Sequence, residues 1–97
     1  MRSEEVKAQQ RAIRETHGVA SDYVMFEYVR ELHEGQVAWD GYVNVFKLRE
    51  HPKAKRCYAW SYDDRGELKT VTVLEIPPVN SARSAVQVAI AAKARQG

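Results

Sequence analysis

A single cysteine, Cys57, leaves this sequence without an intramolecular disulfide and without the thiolate pairs that build structural zinc sites. The histidines are as sparse. His17, His33 and His51 stand apart and form no His-x-x-x-His pair, so neither a metal site nor a metal cofactor is expected. Five glycines and three prolines are too few for a collagen-like or linker-like chain. No apolar run approaches the ~20 residues of a membrane helix, and no apolar block follows the first residues, so neither a membrane partner nor a secretory leader is expected. Neither sign of charge dominates, the formal net charge being +2, which gives no strong field toward an acidic partner. G-x-G-x-x-G, P-loop and G-x-S-x-G motifs are missing, and with them any positive case for nucleotide chemistry or serine hydrolysis. An enzymatic cleft would have to come from His51, Asp40 or Glu75 with no motif behind it. The reading therefore leans away from an enzyme, with no catalytic residue and no cofactor assigned. A reducing, cytoplasmic setting is the default for such a chain.

What is present is ordinary globular material: 44% hydrophobic residues in 97, enough for one domain over residues 1–97 and one modest core. No repeat, low-complexity tract or linker divides it. Residues 3–16 are good helix formers, with Ser3 placed as N-cap, Glu4 and Glu5 in the first turn, and Gly18 as a C-terminal stop. The apolar stripe of this helix is thin: Val6, Ala12 and Ile13, with Gln9 and Gln10 at its edge.

Residues 21–32 fit two periodicities. Val24, Tyr28 and Leu32 make a helical row, whereas the β-branched and aromatic run from Tyr23 to Val29 favours a strand that turns at His33-Glu34-Gly35-Gln36. Residues 37–48 alternate as a strand that ends before Pro52. Residues 54–62 form another, followed by a three-to-five-residue loop at Asp63-Asp64-Arg65-Gly66. A last strand over residues 68–76 stops at Pro77-Pro78. Asn80 or Ser81 then caps a helix reaching about Gln96, with Ala82, Ala85, Val86, Ala89 and Ile90 on one stripe. The fold class is α+β: a two-layer sandwich whose antiparallel sheet of three or four strands is flanked by an N-terminal and a C-terminal helix.

Alternation places Val43, Val45, Cys57, Ala59, Val71 and Val73 on one sheet face, a floor of small residues suited to the last helix. The same alternation collects Tyr42, Phe46, Tyr58, Trp60, Tyr62 and Leu74 on the other, with Leu48 and Ile76, and with Phe26 or Tyr28 joining from the first strand. Leaving six such side chains in water would forfeit on the order of 10 kcal/mol. Something must cover them. The N-terminal helix, narrow and charged, looks a poor lid. The remaining covers are a second copy of the chain across a twofold axis, which is preferred, or both helices spread over opposite faces of a monomer. The mixed polar and apolar wall also suits a small apolar or aromatic ligand.

Two other constellations carry less. Cys57, mid-strand among small residues, reads as a packed thiol shielded by the last helix, not a nucleophile. Arg49, Lys53, Lys55 and Arg56 precede the Tyr58-Trp60-Tyr62 row, and a basic edge beside stacking rings is the pattern of a nucleic-acid platform. Helix, strands and helix in this order also match double-stranded RNA-binding domains in topology alone, without their lysine run.

The run Gly41-Tyr42-Val43-Asn44-Val45-Phe46-Lys47-Leu48, with His51-Pro52-Lys53-Ala54, Cys57-Tyr58-Ala59-Trp60-Ser61 and the exit Leu74-Glu75-Ile76-Pro77-Pro78, resembles a pattern in small uncharacterised bacterial proteins. Some of these are carried on mobile gene cassettes. The resemblance implies a bacterial source and no activity, so no functional residue transfers with it. The residues themselves point to a non-catalytic α+β homodimer with a ligand-binding aromatic face. A nucleic-acid-binding module using Arg49 to Arg56 is the alternative.

Overall fold

Two tight turns organise the sheet. Glu34 and Gly35 take positive φ (53° and 79°), and so do Arg65 and Gly66 (58° and 83°). Two successive left-handed residues make a type I′ turn, whose twist matches that of the strands it joins. In the computed structural model, which describes residues 2–96, the first turn links β1 (Ser21–His33) to β2 (Gln36–Leu48), and the second links β3 (Arg56–Asp64) to β4 (Glu67–Leu74). With α1 (Arg2–His17) before them and α2 (Ala82–Gln96) after, the chain is an α+β fold around an open antiparallel sheet of order β1-β2-β3-β4. Among the described residues no helix is long and apolar enough to cross a membrane.

Several boundaries differ from expectation. Residues 21–32 are strand, their β-branched and aromatic side chains having outweighed the helical row. The second turn needs two residues only, so Asp63 and Asp64 remain in β3. α1 begins at Arg2, which puts Ser3 inside the first turn instead of capping it. The cap of α2 is as expected: Ser81 Oγ accepts from the Ser84 N–H at 3.1 Å, and Ser84 Oγ accepts from the Ser81 N–H at 3.0 Å.

The hairpins are joined by a short seam. β1 and β2 pair along their whole length, with irregularities at Val24, the extra residue between the Tyr23–Phe46 and Met25–Val45 pairs, and again beyond Glu31. β2 and β3 pair only over Asn44–Lys47 against 56–59. Beyond Asn44 the sheet forks, the β1–β2 arm on one side and the β3–β4 hairpin on the other.

The seam also corrects the expected faces. Phe46 stands opposite Cys57 and Val45 opposite Tyr58, so each large side chain meets a small one. Cys57 and Ala59 therefore share a face with Phe46, Leu48 and Leu74, packed by Ile13 of α1. Tyr58 and Trp60 share the other with Val43 and Val45, packed by Ala82, Ala85 and Val86 of α2. The two helices lie on opposite faces, and no single face gathers the aromatic row.

α1 proves an adequate lid because its stripe is completed by a polar residue. Gln9 is fully buried. Its Oε1 accepts from Asn44 Nδ2 at 2.7 Å and its Nε2 donates to Ser61 Oγ at 3.0 Å, which lies 3.2 Å from Thr70 Oγ1. At the end of the helix His17 Nε2 sits 2.9 Å from Thr72 Oγ1. Burial, and secondarily the nearby His51, hold the His17 imidazole below its ordinary 6.5.

Two outcomes follow from this docking. Gln9→Ala strands Asn44 and Ser61 in a dry interface and should cost about 2–3 kcal/mol in urea unfolding. A group whose folded pKa is depressed gives up stability as pH falls, so the urea midpoint should drop as pH is lowered below 6.5. His17→Gln, which keeps a polar partner for Thr72, should flatten that drop.

Candidate functional site

The fork opens a cleft. β2 and β3 separate while α2 crosses above them, its first half tied to the arm and its second half reaching toward β4. Arg83 pairs with Glu31, and Gln87 Nε2 donates to Glu31 Oε1 at 3.2 Å. Ala82, Ala85 and Val86 fill the arm side of the core, whereas Ala89, Ile90 and Lys93 are left over the fork. Between helix and hairpins lies a cavity of ≈ 660 Å³, within the range of about 300–1,000 Å³ typical of small-molecule sites.

Its walls hold both tryptophans of the chain, Trp39 from β2 and Trp60 from β3, with ring centroids 6.0 Å apart and planes at 48°. Val71 and Val73 form the floor on β4, and Tyr62 stands at the rim. The described lining includes no carboxylate, imidazole or thiol; Lys93 is its one ionisable amine, and it is exposed.

Trp39 owes its position to Gly41. Both lie on the α2 face of β2, two residues apart, and a Cβ at position 41 would come within 3.0 Å of Trp39 Cζ2. The indole thus lies over bare backbone, and any side chain at 41 would displace it. Its Nε1 is buried without an acceptor, a deficit that costs free energy in a folded interior.

The six residues expected on one aromatic face are divided. Tyr58, Trp60 and Tyr62 lie on the α2 side, and Trp60 and Tyr62 line the cleft. Tyr58 is buried, and its hydroxyl donates to Glu75 Oε2 at 2.5 Å; burial first, then Glu75, raise its pKa well above the ordinary 10.0. Phe46 and Leu74 lie under α1. Tyr42 is on that same side of the sheet but farther along the arm, where its exposed ring meets the edges of Phe26 and Tyr28. The expected face contained Trp60 and Tyr62 but missed Trp39, Gly41 and the second half of α2. Carrying the β2 alternation back from Val45 and Val43 would have placed Trp39 with them.

Cys57 is fully buried, as expected, but α1 and Phe46 shield it in place of the last helix, and desolvation raises its thiol to about 12. Among the described residues no three His, Cys, Asp or Glu side chains converge to hold a metal ion.

The basic segment forms no platform. Arg49 is held by Asp22 through two hydrogen bonds of 2.8 and 2.5 Å, an arrangement that lowers the pKa of Asp22. His51 Nδ1 accepts from the Lys53 and Ala54 N–H groups, both at 3.0 Å, and so shapes the loop. Lys53, Lys55 and Arg56 are exposed, but Tyr58 and Trp60 beside them are buried. Tyr62, more open, is six residues beyond Arg56 along the strand, about 20 Å away. No protein-family model, curated protein or solved structure matches the chain. The fold and cleft define its class: a small α+β protein with an apolar, tryptophan-walled fork.

Proposed function

We propose that this protein is a non-catalytic binding protein that holds a flat, largely apolar small molecule in the fork, against Trp39 and Trp60. The observation that carries this reading is the cleft itself, an apolar cavity of ≈ 660 Å³ whose wall holds two indoles in tilted contact, 6.0 Å between centroids. Aromatic walls gain most from a planar guest, through burial and through stacked or edge-on ring contacts. An acceptor atom on the guest would relieve the unpaired Trp39 N–H once the indole swings toward the fork. Binding is favoured over catalysis because the described lining offers no carboxylate, imidazole or thiol, and its proton-carrying groups are only the rim Tyr62 hydroxyl, the Thr72 hydroxyl and the exposed Lys93. The nucleic-acid alternative has less support, since its cations and its rings do not share an exposed surface.

Both tryptophans of the chain line the cleft, so intrinsic fluorescence reports on occupancy. Titration with 8-anilino-1-naphthalenesulfonate should give saturable energy transfer from tryptophan to the dye. Ala89→Phe, which fills the cleft from α2 without removing a core side chain, should weaken binding roughly tenfold or more. Dye binding that survives this substitution unchanged, or no saturable binding to the folded protein, would contradict the proposal.

A further inference from the structure

The exposed apolar surface of this chain is gathered on one hairpin. Among the described residues eleven large hydrophobic side chains are exposed by about a third or more, and eight of them lie on β1 and β2. Six belong to β1, including Val24, Met25, Tyr28 and Leu32 at 43–56%. β1 is also an edge strand of 13 residues containing neither lysine nor proline, blunted only by the irregularity at Val24 and by its charged residues Asp22, Glu27, Arg30 and Glu31. A long edge with this much exposed apolar surface is a template for another strand.

The ladder phase shows which backbone groups that edge presents. The Leu48 N–H bonds to Lys55 O at 2.8 Å, so even-numbered residues near the end of β2 bond to β3 and odd-numbered ones to β1. Met25, Glu27 and Val29 are therefore turned toward β2, and the N–H and C=O groups of Tyr28 and Arg30 point toward the open edge. Arg83 reaches the Arg30 carbonyl only at 3.5 Å, a long contact that an incoming N–H would replace.

We infer that a second copy of this chain pairs its own β1 antiparallel to this one, about a twofold axis at Tyr28, to give one continuous eight-stranded sheet. The register follows from charge and regularity. Between the irregularities at Val24 and beyond Glu31 the strand is regular from Met25 to Glu31, and Tyr28 is its midpoint. Centred there, Phe26 faces Arg30 of the other copy, Glu27 faces Val29, and Met25 faces Glu31. Moving the axis by one residue either way, which keeps the ladder in phase, sets Glu27 against its own copy or against Glu31, and like charges directly opposite are destabilising. Met25, Phe26 and Tyr28, each exposed by more than two fifths, lie within the paired stretch and lose water on pairing. Because β1 lies on the far side of β2 from the fork, the pairing leaves the ligand cleft accessible, and it stands whether or not that cleft is occupied.

The test uses the full chain. Light scattering on the eluting protein at micromolar concentration should give twice 11.1 kDa, and Tyr28→Lys, which sets two ammonium groups face to face at the axis, should shift the mass to the monomer. Tyr28→Cys should cross-link to its own copy under mild oxidation and Glu27→Cys should not, the native Cys57 being buried and inert. Continued protection of Cys57 from a thiol reagent certifies that each variant is folded. A wild-type mass of one chain, a folded Tyr28→Lys dimer, or cross-linking through Glu27→Cys instead of Tyr28→Cys would overturn the inference.

Discussion

The rest of this molecule depends on a seam of four residue pairs, Asn44–Lys47 against 56–59. It alone joins the two hairpins by strand pairing, and its register decides which face each side chain of β3 meets. Phe46 against Cys57 and Val45 against Tyr58 distribute volume so that both faces can be packed by a helix. Its shortness matters as much as its register. Because pairing stops at Asn44, the arm and the β3–β4 hairpin diverge, and the space that a longer seam would have closed becomes the cleft. One local fact, where β2 lets go of β3, thus sets both the core and the candidate site.

The two faces are held by different physics. Under α2 the contact is apolar, built on Ala82, Ala85 and Val86 against valines and the Tyr58 and Trp60 rings. Under α1 a hydrophobic spot around Ile13 and Phe46 is flanked by the chain Asn44–Gln9–Ser61–Thr70. Burial drives association on both sides. Hydrogen bonds add direction on the second, because a slide or rotation of α1 would orphan several groups at once. Thin hydrophobicity in the first helix is therefore consistent with a well-defined position.

Much of this was legible in the sequence. Alternation identified β2, β3 and β4, β-branched and aromatic content tipped residues 21–32 to a strand, the turn at His33-Glu34-Gly35-Gln36 marked the first hairpin, and Asn80 or Ser81 with the alanine stripe defined the last helix. The phase of one strand against the next was not legible. Periodicity within β3 says that Tyr58 and Trp60 share a side and Cys57 and Ala59 the other, but not which side faces Phe46. That choice is set by the loop from Leu48 to Arg56 and by the fit of large against small across the seam, both properties of the assembled pair. Gathering all aromatics on one face ignored that fit. Gln9 was hidden for a related reason, since a glutamine at the edge of a weak stripe reads as solvated until Asn44 and Ser61 are known to meet it.

The claim that the seam's register governs the fold is open to one direct measurement. Because Leu48 and Lys55 form a hydrogen-bonded pair, Val45 and Tyr58 occupy a non-hydrogen-bonded position, where opposing α-carbons approach to about 4.5 Å and their α-protons come close. A nuclear Overhauser spectrum of the labelled protein should show a strong cross-peak between the α-protons of Val45 and Tyr58. A strong cross-peak from the Val45 α-proton to that of Cys57 or Ala59 in its place would shift β3 by one residue, return the aromatic row to the face of Phe46, and contradict the account.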